Sequence, residues 1–189
     1  MYLILEGVDT SGKSTQLELL KNIYPKACFT KEPGGTDLGT KIRAMILHQG
    51  VKNHKAELFL FLADRAEHYM NVVQQHDMVI SDRGFISGIA YALANHKDYD
   101  LEFLTHLNSF ALDDKMPDFV VLLETNEQLI KERLGQKSQD MIEKRGIEYL
   151  LKVQELMKEV LKKLEINHII IDASYEIDKI HQEIKGFIA

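Results

Sequence analysis

Apolar positions along this chain fall into two alternating patterns. Five short runs are apolar at almost every position: Tyr2–Leu5, Ala27–Thr30, Met78–Ser81, Phe119–Leu123 and His168–Ile171. Between them lie longer stretches with apolar residues three and four apart, such as Leu58, Phe59, Leu62, Ala63, Ala66, Met70 and Val73, and later Tyr149–Leu164 and Ile177–Ile188. A run without a polar face reads as a strand covered on both sides, and 3.6-residue spacing reads as helix. Strands of this kind alternating with helices predict a five-stranded parallel sheet between helical layers. Such sheets place their chemistry just beyond the carboxyl ends of the strands. No repeat, low-complexity tract or Pro/Ser-rich linker interrupts the pattern, so residues 1–189 read as one α/β domain.

Composition narrows the function classes. With 23 Lys+Arg against 29 Asp+Glu, the formal net charge is −6, which argues against gripping nucleic acid by its phosphates. The single cysteine, Cys28, excludes an internal disulfide framework and a cysteine-rich zinc site. The eight histidines show no metal-ligand spacing. No apolar run approaches the roughly 18 residues of a membrane span. The N-terminus lacks the basic and small-residue features of a signal peptide. A soluble, cytoplasmic domain with no membrane partner is expected.

The first strand is followed by Gly7-Val8-Asp9-Thr10-Ser11-Gly12-Lys13-Ser14 and Thr15, and then by a helix with Leu17, Leu20 and Ile23. This is G-x-x-x-x-G-K-[ST] in the strand–loop–helix context the motif requires. Glycines let successive backbone N–H groups face one anion, and the helix N-terminus adds partial positive charge. Lys13 would reach the β- and γ-phosphates of a nucleoside triphosphate, and the Ser14 hydroxyl would ligate Mg²⁺. Residues Gly7 to Thr15 are therefore the expected ATP-binding loop.

Among phosphate-loop proteins, a GTPase would offer Asn-Lys-x-Asp. In Asn95-His96-Lys97-Asp98 the lysine is displaced by one position. An ATPase machine would end an apolar strand on Asp-Glu, whereas here the third strand ends Ser81-Asp82-Arg83. An arginine beside that aspartate, with Arg43 and Arg65 elsewhere, suits a protein that brings two polyanions together and must offset their repulsion. A small-molecule kinase fits best.

The residues resemble the thymidylate kinase family along almost the whole chain. The resemblance is carried by Leu5-Glu6-Gly7-Val8-Asp9 with Gly12-Lys13-Ser14-Thr15-Gln16, by Lys31-Glu32-Pro33-Gly34-Gly35-Thr36 with Ile42-Arg43, and by Leu60-Phe61-Leu62-Ala63-Asp64-Arg65. Asp82-Arg83 with Ser87 and Tyr91, Pro117-Asp118, Asp140-x-Ile142-Glu143 and Ile171-Asp172-Ala173 complete it. The resemblance implies a phosphate-loop fold of the nucleoside monophosphate kinase type that phosphorylates dTMP to dTDP with ATP and Mg²⁺, as a homodimer.

It also implies roles. Phe61 would stack on thymine and Arg65 would donate to a pyrimidine carbonyl. Tyr91 would crowd the 2′ side of the sugar, with Ser87 in the same pocket. Asp9 would meet the 3′-hydroxyl, and Arg43 and Arg83 would clamp the dTMP phosphate, with Arg83 bridging towards the γ-phosphate. Asp82 would hold Mg²⁺ through water, while Glu32 and Pro33 line the acceptor side. Lys13, Arg83 and Asp9 form the expected catalytic set.

The chain departs from the family pattern at several places. Thr10 stands where some members carry a loop arginine, and Met141 stands where others carry a lid arginine. A lid at about 133–146 is expected to draw its cation from Arg133, Lys137, Lys144 or Arg145. Gly84, Gly88 and Ala92-Leu93-Ala94 also differ, which bears on the shape of the thymine pocket rather than on the reaction, and Lys31 replaces an arginine without its bidentate fork. The alternatives are another pyrimidine nucleoside monophosphate or deoxynucleoside kinase, or a nucleotide-binding protein without catalysis.

Overall fold

A computed structural model of the chain describes residues 1–134, 142 and 145–188. The strands are β1 (Tyr2–Glu6), β2 (Cys28–Lys31), β3 (Val79–Asp82), β4 (Phe119–Glu124) and β5 (His168–Asp172). Each lies within one residue of the apolar run that predicts it, and each extends one residue further to end on a charged side chain. All pairings are parallel, in the order β2-β3-β1-β4-β5. The carboxyl end of β1 therefore lies between those of β3 and β4, at the point where the strand order reverses and parallel sheets open a crevice.

The helices are α1 (Lys13–Ile23), α2 (Asp37–Ala44), α3 (His54–Asn71), α4 (Phe85–Asn95), α5 (Leu101–Ala111), α6 (Glu127–Leu134), α7 (Ile147–Leu164) and α8 (Ile177–Ile188). Alternation along β1 divides the interior into two layers. Tyr2 and Ile4 join the core formed with α3, α4, α5 and α7, whereas Leu3 and Leu5 join the one formed with α1 and α8. Helix α3 starts at His54, four residues before its first expected apolar position. The Asn53 side chain accepts the N–H groups of Lys55 and Ala56 there, capping the helix.

One expectation changes in α3. The spacing assigned Phe59, Ala63, Ala66 and Met70 to the same face as Leu58, but these four are exposed while Leu58, Phe61, Arg65, His68 and Tyr69 are buried. The inner face carries charged side chains, so hydrophobicity alone misplaces it. Of the segment expected to form the lid, Lys137, Met141 and Lys144 lie outside the described residues. No helix among the described residues is long and apolar enough to cross a membrane.

Candidate active site

The sequence after β1 turns because of its glycines. Gly7 has φ 142°, and a Cβ there would lie 2.6 Å from Ser11 Oγ and 2.8 Å from the Leu123 carbonyl oxygen. Gly12 has φ 99° and precedes α1 without a side-chain cap, so the first N–H groups of that helix are left for an anion. Lys13 folds back over the loop, donating to the carbonyls of Gly7 (2.9 Å) and Val8 (3.2 Å). Burial, assisted by the Arg83 charge, pushes its ammonium down to about 8 against the opposing pull of Asp82, Asp9 and Glu6. Arg133, at the end of α6, closes the loop from above, donating to the carbonyls of Thr10 (2.8 Å) and Ala173 (3.3 Å). Gly12, Lys13 and Arg133, with Ser14, Thr15 and Tyr175, line a cleft of about 530 Å³.

Asp82 and Ser14 lie on this cleft. Asp82 Oδ1 is buried without a hydrogen-bond partner among the described residues. An orphaned carboxylate oxygen beside a hydroxyl and a phosphate loop is a hard-oxygen donor set, which suits Mg²⁺ held by few protein ligands and completed by phosphate and water. The residues present fit that ion.

Beside the cleft lies a narrower slot. Every residue expected on the acceptor side lines it: Asp9, Glu32, Pro33, Arg43, Phe61, Arg65, Arg83, Ser87 and Tyr91. Arg83 has φ 68° and is fixed by its own N–H to Leu5 O (2.8 Å) and by the Ser81 hydroxyl donating to its carbonyl (2.8 Å). Its guanidinium meets Gly7 O (2.7 Å), Ser87 Oγ (3.3 Å) and Asp9 Oδ1 (2.9 Å). Burial opposes its charge, but Asp9, Tyr91, Asp82 and Glu6 outweigh that and hold it firmly cationic. Arg43 donates to Pro33 O at 2.9 Å and reaches both cavities.

Arg65 is held more tightly than the sequence implies. Glu32 Oε2 accepts from its Nε (2.9 Å) and NH2 (2.8 Å), and Asn108 Oδ1 on α5 accepts from its NH1 at 2.5 Å. Glu32 Oε1 bonds His68 Nδ1 (2.8 Å), and His68 Nε2 bonds Thr30 Oγ1 (2.8 Å). Burial alone would raise the Glu32 carboxyl; the Arg65 guanidinium and the His68 contact outweigh it and hold it below its usual range. The glycines of Glu32-Pro33-Gly34-Gly35-Thr36 serve this packing. A Cβ on Gly35 would lie 2.5 Å from His68 Cδ2 and 2.6 Å from Thr30 Oγ1. Gly88 presents bare backbone to Arg65, where a Cβ would lie 3.0 Å from NH1.

The two described lid candidates part company. Arg133 sits at the phosphate loop. Arg145 instead pairs with Glu57 Oε2 (2.8 Å) and donates to Asn95 Oδ1 and Tyr149 OH (both 2.9 Å), so it ties the start of α7 to α3 and α4. Tyr149 in turn stacks on Tyr91, with ring centroids 6.2 Å apart.

A sequence profile of the thymidylate kinase family matches residues 5–184. The chain belongs to the thymidylate kinase family. It is 52% identical to a thymidylate kinase of Sulfurovum sp. (strain NBC37-1), over 100% of this chain and 99% of the relative, and 50% identical to one of Aliarcobacter butzleri (strain RM4018), over 100% and 98%. Among solved structures, the thymidylate kinase from Ehrlichia chaffeensis superposes with a TM-score of 0.77 at 26% identity, covering 100% of this chain and 98% of that one. The fold is thus the phosphate-loop fold of a nucleoside monophosphate kinase.

Several residues behind the thymidylate kinase site escaped the sequence reading. Glu6 and Asn108 line neither cavity but bond Ser87 and Arg65, which do, and Tyr149, tied with Asn95 and Glu57 through Arg145, stacks on Tyr91. In the sequence Glu6 closes an apolar run, whereas Asn108, between His106 and Ser109, carries no such mark. Tyr175 and Ile177 line the outer cleft, and only their position just after the fifth strand pointed to them.

Proposed function

We propose that this chain transfers the γ-phosphoryl group of ATP to dTMP with the residues assembled here, giving dTDP and ADP, the thymidylate kinase reaction. One observation carries the assignment of sites. The phosphate-loop cleft and the acceptor slot are contiguous, and they share Asp9, Glu32, Arg43 and Arg83. Two arginines and two carboxylates at the junction of two cavities are what in-line transfer between two phosphates needs.

On this reading, the loop from Gly7 to Thr15 binds the triphosphate, and Lys13 leaves the Gly7 and Val8 carbonyls to meet the β- and γ-oxygens. Arg43 and Arg83 hold the dTMP phosphate, while Asp9 orients Arg83 and faces the sugar. Phe61 packs against the base and Arg65 donates to a base carbonyl. Ser14 and Asp82 would hold Mg²⁺, which would supply neutralisation of triphosphate charge. The reaction needs no covalent intermediate, because the acceptor phosphate already carries a nucleophilic oxygen. Catalysis is alignment plus neutralisation of charge that develops in a loose transition state. Arg133 is the described lid cation placed to add to that neutralisation.

The outer face of α3, with Phe59, Ala63, Ala66 and Met70, together with exposed Phe103 and Phe110 of α5, supports a homodimer. A cytoplasmic location fits the nucleotide substrates, and the net charge of −6 supports a reading without a nucleic-acid partner.

The test is ADP release with ATP and Mg²⁺, offering dTMP, dUMP, dCMP, dGMP, dAMP and thymidine separately. Turnover with dTMP, weaker turnover with dUMP and none with thymidine is expected. Turnover with thymidine alone would leave Arg43 and Arg83 without a phosphate to clamp, and would overturn the reading.

A further inference from the structure

Glu6 is the last residue of β1 and is completely buried. It faces neither cavity, yet its carboxylate takes three hydrogen bonds from the start of α4. Oε1 accepts the N–H groups of Gly84 (3.0 Å) and Ser87 (3.1 Å), and Oε2 accepts the Ser87 hydroxyl. Gly84 is the residue before α4 and gives that helix no side-chain cap. A Cβ there would lie 2.5 Å from Ile4 Cδ1, so a side chain could enter only if the buried Ile4 gave way. The cap that a Ser or Asp would normally supply locally therefore comes across the sheet, from the neighbouring strand.

We propose that Glu6 is the positioning residue of the Asp82–Arg83 turn: by capping α4 from β1, it fixes the direction in which Arg83 and Ser87 face the acceptor phosphate. The inference rests on the reading that Arg83 clamps that phosphate. Two bonds already hold the left-handed backbone of Arg83, to Leu5 O and from Ser81 Oγ, but both lie on the strand side of the turn. Glu6 holds the helix side, through Gly84 N–H. Its grip on Ser87 also orients the Oγ that accepts from Arg83 NH1 at 3.3 Å. Without Glu6, the Gly84 and Ser87 N–H groups would be buried and unpaired, and the guanidinium would lose one of its fixed neighbours. A buried carboxylate is a demanding way to cap a helix, and three bonds to donors on one turn leave that turn little freedom.

The test measures steady-state kinetics and melting temperature for Glu6→Ala, Glu6→Asp, Glu6→Gln and Arg83→Lys. Aspartate keeps the charge but is one methylene too short to reach all three donors. Glutamine keeps the reach and the oxygen that takes both backbone N–H groups. The Ala and Asp variants are expected to raise KM for dTMP and lower kcat, each by roughly tenfold, with KM for ATP within about twofold of the parent and Gln restoring most of both. If the Ala variant does not fold, the contrast of Asp with Gln carries the test. A lower melting temperature with unchanged kinetics would make Glu6 merely structural and overturn the proposal. So would an equal rise in both KM values, which would place its effect in the adjoining phosphate loop. An Arg83→Lys variant with parental kinetics would overturn the clamp itself and the proposal with it, whereas a defective one beside silent Glu6 variants would overturn the proposal alone.

Discussion

Arg65 illustrates how much of a site is decided by atoms that never meet a ligand. Its guanidinium has five N–H donors. Three bonds commit Nε, NH1 and NH2 to Glu32 and Asn108, and the remaining donors lie against Gly88 on the acceptor slot. A guanidinium fixed by a carboxylate on one side and an amide on the other can read a base edge only in one orientation. Removing one partner leaves a donor on a buried cation unpaired, which typically costs about 1–3 kcal/mol. Asn108→Ala is therefore expected to raise KM for dTMP roughly tenfold while leaving KM for ATP alone. Initial-rate kinetics with each substrate varied in turn would check this, and parental KM values in a folded variant would show that Glu32 alone orients Arg65. The sequence showed Arg65 through its place after Leu60-Phe61-Leu62-Ala63-Asp64. It did not show Asn108, which lies 43 positions away and declares itself only when α5 packs on α3.

Elements were legible to the extent that their faces were uniform. The central strands β1, β3 and β4 are buried on both sides and the edge strands β2 and β5 only in part, yet a plain apolar run located each one. The reading stopped one residue early because the last rung of each ladder carries a charged side chain to the edge of the sheet. Those terminal residues, Glu6, Lys31, Asp82, Glu124 and Asp172, and the residues just after them, are where the polar chemistry gathers. Glu6 also couples two elements in a way that titrates. Burial pushes its carboxyl up to about 7, although Ser87, Arg83 and Lys13 pull the other way. The unfolded chain releases this proton near the ordinary value of about 4.5, so between that pH and about 7 the folded state binds more protons. Stability from this group is then full below the lower value and falls as pH rises towards 7, by up to about 3 kcal/mol. Glu6→Gln removes the titration. Relative to the parent, the Gln variant should gain stability between pH 5 and pH 8, as measured by denaturant unfolding at both. An identical difference at the two pH values would show that Glu6 is already ionised at pH 5.

At the scale of the whole molecule, α3 is apolar or functional on nearly every side, which is why its spacing misled. Inward it presents Phe61 and Arg65 to the acceptor slot and His68 to Glu32; outward it presents Phe59, Ala63, Ala66 and Met70 at helical spacing. Beside it, α5 buries Leu104 and Asn108 and exposes Phe103 and Phe110, the latter 83% accessible. Phe59, Met70, Phe103 and Phe110 are exposed large apolar side chains carried by two helices that pack together, a surface of the kind a partner covers. Pairing with a second copy would bury it, with the small Ala63 and Ala66 letting the two α3 helices approach. A charge at the centre of such a contact would be desolvated without a partner, since the twofold axis would bring its own copy opposite. Ala66→Glu, on the exposed face of α3 and lining neither cavity, is therefore expected to turn a dimer of the parent chain into a monomer at micromolar concentration, as read by sedimentation velocity. Because α3 carries Phe61 and Arg65 on its opposite face, loss of the partner should also loosen the acceptor slot and raise KM for dTMP more than KM for ATP. A parent chain that sediments as a monomer would leave the apolar stripe to another partner and remove the basis for that coupling.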